Sequence, residues 1–260
     1  MGCLQKGLTY CHFVWNDNSQ WRDRTGFAPA SSMASASIIH SYWELLRIFP
    51  YPAAPCFAEQ TDYPGAFLMR LFLVSHASTN ALRQACFPRD EALDRIGSEK
   101  SQRLAGTLPM ATRCLRSTAL RTWQTARALG LSAKPEPLLD DCNYGGWSGL
   151  SLQAVQQQDP AGVIAWLQDP AAAPHGGESL LDMRQRVIGW MDSLGTTPED
   201  TVAVTHPAII RLVILHVLGA GAEAFWHIEV DPLSLTDLRY NQGRWTLRSH
   251  GFPLQPKLQA

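Results

Sequence analysis

With 260 residues, 45% of them hydrophobic and 17% charged, the chain can bury a sizeable core, and global disorder is excluded. Its length suits one large domain with an appendage better than two full domains. The 22 basic and 23 acidic side chains leave a formal net charge of -1, which excludes attachment to nucleic acid through bulk positive charge.

Residues 1–68 mix Trp15, Trp21 and Trp43 with a small-residue stretch at 28–37 and a Pro-rich piece at 49–55. They show little periodicity, so they read as a poorly ordered N-terminal extension. Positions 37–49 suit at most one short helix, since His40, Glu44 and Arg47 interrupt it. That segment is shorter than the roughly 20 apolar residues of a bilayer span, so no membrane partner is expected. Met1 to Asn18 lacks the basic start and apolar run of a secretory signal, and Lys6 stands where myristoylation needs Ser or Thr. A reducing cytoplasm is the expected location. Met69 directly precedes the first clear strand and is a candidate translation start, which would make 1–68 a gene-model artefact.

From residue 69 to 252 strand-like and helix-like stretches alternate, the pattern of an α/β domain with a mostly parallel sheet and helices on both faces. Strands are expected at 71–75, 112–116, 201–205, 235–240 and 244–248, the last two as a hairpin around Asn241-Gln242-Gly243. Helices are expected at 98–106, 119–129, 151–158, 180–194 and 207–218. Residues 253–260 read as a tail. Cys3, Cys11, Cys56, Cys86, Cys114 and Cys142 form no CxxC pair, and no histidines fall in HxxxH or HExxH spacing. Neither a disulfide framework nor a metal site is therefore expected.

Two histidines end strands in the same way, in Leu73-Val74-Ser75-His76 and Ala203-Val204-Thr205-His206. The carboxyl ends of parallel strands form the ligand crevice of an open α/β sheet, so the two can converge on one site. Pro207 suits the first position of the following helix and leaves free N–H donors beside His206, a place for an anion. Arg121 falls in the first turn of another strand-to-helix unit, where a guanidinium suits phosphate; the alternative for it is a surface arginine paired with a carboxylate.

Taken together, these motifs resemble the histidine phosphatase superfamily, also called phosphoglycerate mutase-like, over about 180 residues of the chain. Leu73-Val74-Ser75-His76-Ala77-Ser78-Thr79 is similar to the family's Leu-Val-Arg-His-Gly-Glu-Thr start. Ser117 to Ala126 is similar to its Ser-x-Leu-x-Arg-x-x-Gln-Thr-Ala segment, and Asp141 precedes Tyr144-Gly145 as the family's acid precedes an aromatic and glycine pair. Gly177-Glu178-Ser179 and 202–211 resemble the remaining motifs, although Ser179 and Asp182 also read as a helix-starting capping box.

The resemblance implies a three-layer phosphoglycerate mutase-like sandwich and a metal-independent phosphomonoester hydrolase. In it His76 is the nucleophile, Arg121 and His206 hold the phosphoryl oxygens, and Asp141 is the proton donor and acceptor, with Asp140 as its competitor. Ser75, Ala77, Thr79, Arg83, Glu178 and Pro207 would contact a small phosphorylated substrate. Trp147, Trp166 and the loop at 170–175 are expected to wall the pocket.

The chain departs from the family at Ser75, where the family has a phosphate-binding arginine; Arg83, Arg113 and Arg116 are candidate replacements. Ala77 for glycine and Pro207 after the second histidine are further departures. A weakened phosphatase-like protein that binds a phosphorylated ligand or partner, and a phosphoglycerate-type mutase, are the alternative functions. Substrate identity and oligomeric state are left open.

Overall fold

The computed structural model describes residues 14–15, 21–22, 69–196 and 199–255. The chain divides into two units, Met1–Asp62 and Tyr63–Ala260. In the first, strands β1 (Val14–Trp15) and β2 (Trp21–Arg22) pair antiparallel. The rest of the expected N-terminal extension, the helix considered at 37–49 and the last five residues of the tail lie outside the described residues.

The second unit is built on six strands: β3 (Met69–Ser75), β4 (Arg113–Arg116), β5 (Lys134–Pro135), β6 (Thr201–Thr205), β7 (Ser234–Asn241) and β8 (Arg244–Pro253). They lie in the order β5-β4-β6-β3-β7-β8. The pairs β5/β4, β4/β6 and β6/β3 are parallel, and β7 and β8 add antiparallel at one edge. The fold is thus the α/β sandwich with a mostly parallel sheet that the sequence pattern implies.

Strand β3 explains the three layers. Its apolar run Leu71-Phe72-Leu73-Val74 is buried throughout, as befits a strand covered on both faces. Because successive side chains point to opposite faces, Leu71 and Leu73 join one cluster while Phe72 and Val74 join another. The first cluster contains Met183, Val187, Trp190 and Met191 of α6 (Leu180–Thr196) and Ile209, Leu212 and Val213 of α7 (Pro207–Leu218). On the opposite face, Leu104 at the end of α2 (Arg95–Arg103) and Ala126 of α3 (Leu120–Ala128) pack with Leu129. Each fully buried Leu or Ile here contributes roughly 1.5–3 kcal/mol relative to exposure.

Three further helices are α1 (Asn80–Arg83), α4 (Leu152–Gln158) and α5 (Pro160–Gln168). The strand pattern does not anticipate α1 or α5. For α5 the signal was present in Asp159-Pro160: the Asp159 carboxylate caps the helix by accepting from the Gly162 N–H, and Pro160 takes the first helical position. The helix expected at 98–106 instead begins at Arg95, because Asp94 accepts from the Gly97 N–H at 2.6 Å and starts it a turn early. In the β7–β8 hairpin Asn241 pairs with Arg244, leaving Gln242 and Gly243 as the turn, both with positive φ (49° and 79°). Two such residues match the right-handed twist of the strands they join. No helix among the described residues is long and apolar enough to cross a membrane.

Candidate active site

The register of the parallel pair β3/β6 sets Ser75 opposite Thr205, so the residues just past each strand, His76 and His206, emerge side by side. The His76 N–H donates to the Thr205 carbonyl at 2.9 Å, and the two imidazole centroids lie 5.2 Å apart. Arg121, at the start of α3, reaches across: one Nη donates to the Arg89 carbonyl at 2.8 Å and the other to Asp141 Oδ2 at 2.9 Å. Asp141 Oδ2 is in turn 3.4 Å from His206 Nδ1. The loop carrying Asp141 is fixed from both sides. Thr205 donates its hydroxyl to the Leu139 carbonyl, and Asp140 accepts from both the N–H and the hydroxyl of Thr118. Asp140 is therefore the turn-holding acid and Asp141 the one facing the histidines.

Hydrogen bonding orients the rings. His76 Nδ1 lies 2.8 Å from the Ala77 carbonyl, which can only accept, so Nδ1 carries the proton and Nε2 keeps its lone pair. His206 Nε2 lies 2.7 Å from Ser117 Oγ, and Ser117 Oγ also accepts from the Ala119 N–H. With the serine proton given to Nε2, the His206 Nδ1–H faces the Asp141 side. Three polar atoms here, Ser75 Oγ, Arg121 Nε and His206 Nδ1, are buried without a hydrogen bond among the described residues.

Burial and the Arg121 guanidinium push His76 down to about 4, against the opposing Ala77 hydrogen bond. Burial, Arg121 and His76 hold His206 well below the usual histidine range. Asp141 moves the other way: burial raises it, opposed by Arg121 and by the Cys142 N–H. At neutral pH the site thus holds neutral imidazoles beside a carboxyl group that retains its proton more readily than usual.

The histidine shift has a consequence for stability. His76 binds its proton more weakly folded than at the ordinary value of 6.5, so its contribution is complete above that pH and is lost as pH falls toward and through about 4. We expect this one ring to cost about 3 kcal/mol at pH 4. Urea unfolding at pH 7 and at pH 4 should show a smaller acid loss in His76→Asn than in the parent. Equal losses would remove His76 from the acid sensitivity.

A cavity of about 460 Å³ opens over His76, Arg121 and Asp141. Thr79 and Pro207 line it, as does Trp166. Thr79 also caps α1, accepting from the Leu82 N–H at 3.2 Å. Other expected contacts lie elsewhere. Ser75 and Ala77 are fully buried, and the Ala77 N–H is taken by Thr125 Oγ1. Arg83 is 53% exposed and lies 3.8 Å from Asp94, outside the cavity, because the helix α1 turns it to solvent. Glu178 makes two 2.8 Å bonds to Arg186 and lines a separate groove bordered by Asp140 and Asp141, not the cavity over His76. Ser179 and Asp182 form the capping box of α6. Trp147 is buried behind the wall with Phe87, Val155 and Val163, and the 170–175 loop does not line the cavity. Of the candidate replacement arginines, Arg113 bonds Thr201 Oγ1 and Arg116 the Ser117 carbonyl; neither lines the cavity.

Motif matching overlooks two charged residues of the cavity. Arg211 lies one helical turn after Pro207 on the same face of α7, so the i, i+4 spacing carried the signal. Glu91 lies 3.8 Å from Arg121, and both its oxygens are buried without a hydrogen bond among the described residues. Nothing local in the sequence marks it.

Residues 71–253 match the histidine phosphatase superfamily (branch 1). A bifunctional protein of Mycobacterium tuberculosis is 28% identical over 178 residues, which is 64% of this chain and 49% of the relative. The chain thus spans about half the length of that relative. The adenosylcobalamin/alpha-ribazole phosphatase of Escherichia coli is 29% identical over 192 residues, 69% of this chain and 94% of its own. The crystal structure of the alpha-ribazole phosphatase from Shigella flexneri is similar with a TM-score of 0.64 at 27% identity, over 70% of this chain and 96% of that one.

Proposed function

This chain belongs to the histidine phosphatase superfamily, and from that premise we propose that it hydrolyses a small phosphomonoester through a phosphohistidine at His76, without a metal or other cofactor. The observation that carries the reading is the free lone pair of His76 Nε2 at the floor of a cavity shared with Arg121 and Asp141, with His206 alongside.

In the first displacement His76 Nε2 attacks phosphorus as the P–O ester bond breaks, and Asp141 gives its proton to the leaving alcohol oxygen. In the second, water attacks the phosphohistidine, Asp141 takes a proton from it, the P–N bond breaks and inorganic phosphate leaves. Arg121 and the Nδ1–H of His206 stabilise the charge spread over the equatorial oxygens. Burial suits both partners: it keeps His76 neutral for attack and raises the proton affinity of Asp141 toward that of a donor to the leaving group. Relatives named as alpha-ribazole, phosphoserine and glucosyl-3-phosphoglycerate phosphatases support a small phosphorylated substrate.

Ser75 favours a second reading, a phosphatase-like protein that binds a phosphorylated ligand with little turnover. A serine brings no charge, Arg83, Arg113 and Arg116 are turned elsewhere, and one lost electrostatic donor lowers a rate by about 10²–10³-fold. The full chain should be assayed with phenyl phosphate in the presence of chelator, beside Ser75→Arg. Turnover by the parent is the expected result. A silent parent and an active, folded Ser75→Arg would establish the binding reading instead.

A further inference from the structure

In the proposed reaction the phosphoryl end needs only the floor of the cavity, at His76, Arg121 and Asp141, which leaves the remaining walls to the alcohol that the phosphate is removed from. They are mostly apolar, and five of their side chains, Phe87, Tyr144, Trp166, Phe225 and Trp226, are aromatic. Trp166 meets Trp226 edge to face with centroids 4.8 Å apart, Phe87 lies 5.5 Å from Trp166, and Phe225 lies 4.9 Å from Trp226. The lining contains no Asn, Gln, Ser or Lys. Away from the phosphoryl end only Thr79, Glu91, Tyr144 and Arg211 offer polar side-chain partners, so a polyol or sugar buried here would leave most of its hydroxyl groups unpaired, at roughly 1–3 kcal/mol for each. A flat apolar ring instead gains edge and face contacts, and a cavity of this volume admits one with its phosphate.

Two charged groups interrupt this wall, Glu91 beside Arg121 and, apart from them, Arg211. Arg211 is stacked over Phe225 at 5.3 Å and is held by its Nε, which donates to the Ile228 carbonyl at 2.7 Å. Its two Nη groups make no hydrogen bond among the described residues, although Tyr144, Glu229 and Asp141 act on it electrostatically. The side chain is thus fixed at one end and presents a donor fork at the other, one helical turn from Pro207.

We infer that the natural substrate is a phosphomonoester of an alcohol with an aromatic body, whose outer end carries an acceptor oxygen, a carboxylate or a comparable group, received by Arg211. This deepens the proposed phosphatase function and rests on it. The Phe87, Trp166 and Trp226 walls hold the ring, and Arg211 sets specificity.

The test uses alkyl phosphates with leaving alcohols of similar basicity, so that intrinsic reactivity does not decide the ranking. Phenethyl phosphate, para-carboxyphenethyl phosphate, glycerol phosphate and O-phosphoserine are compared for kcat/KM with the full chain, Arg211→Met and Trp226→Ala. The carboxylated arylethyl ester should exceed glycerol phosphate and phosphoserine by at least about 100-fold, and the parent should prefer it to phenethyl phosphate. Arg211→Met should lower that last preference by about 10–100-fold, mainly through KM. Trp226→Ala should lower kcat/KM for both arylethyl esters while leaving the carboxylate preference in place. Preference for the polar esters, or a carboxylate preference unchanged in Arg211→Met, overturns the inference while the phosphatase reading stands. Absence of His76-dependent turnover for all four esters overturns the phosphatase reading itself, and this inference with it.

Discussion

Replacing His76 with alanine should lower kcat/KM for phenyl phosphate by about 10⁴–10⁶-fold, the scale of losing a covalent nucleophile. The argument rests on geometry that no neighbour reproduces. The Nδ1–H of His76 is fixed on the Ala77 carbonyl, leaving Nε2 as the free lone pair over the cavity. His206 is fully buried beside it, with Nε2 engaged by Ser117, so it cannot simply take over the attack. The chemical intermediate supplies a second readout. Parent protein mixed with a labelled phosphomonoester and denatured within the first turnover should carry an acid-labile, base-stable phosphoryl group on His76, and His76→Ala should carry none. Because the alanine removes a buried ring, His76→Asn serves as a check that lost turnover is not lost folding. Label found on His206, or turnover in a folded His76 variant within tenfold of the parent, would sink the assignment.

The sequence made the sheet and the histidine pair legible for a physical reason: strands covered on both faces must be continuously apolar. Leu71 to Val74 and Val202 to Val204 announce themselves, and the residue just past each strand, His76 or His206, is bound to stand at the crevice. Asp141 and Arg121 were found through a motif, but their 2.9 Å contact is made between segments that no local pattern joins. Where contacts depend on which way a short helix faces, the sequence was a poor guide. Arg83 looked close to the nucleophile along the chain, yet α1 turns it to solvent. Glu178 was drawn away by Arg186, eight positions later and two turns along α6. Arg211 was missed for the opposite reason: a cation within an otherwise apolar helix reads as a snorkelling surface residue until the cavity beside it is seen.

Asp141→Asn should separate proton transfer from phosphoryl transfer. Asparagine keeps an acceptor oxygen for the Arg121 Nη donor but cannot protonate a leaving alcohol. For phenethyl phosphate, whose alkoxide is a poor leaving group, kcat should fall by about 10²–10⁴-fold. For nitrophenyl phosphate, whose phenolate leaves without a proton, the loss of the first displacement should be much smaller. The pH dependence carries the same signature. The fraction of neutral His76 grows as pH rises through about 4, so activity climbs on the acid side. The fraction of protonated Asp141 shrinks as pH rises through its own value, which burial lifts above the usual carboxylate range, so activity falls on the alkaline side. The phosphate of the substrate also titrates, near pH 6. Dividing the parent's kcat/KM by that of Asp141→Asn at each pH cancels this term, along with the shared His76 limb. The quotient for phenethyl phosphate should therefore be flat at low pH and fall once Asp141 ionises. An equal rate loss for both esters, with a quotient independent of pH, would make Asp141 a positioning group for Arg121 and leave the proton to come from elsewhere.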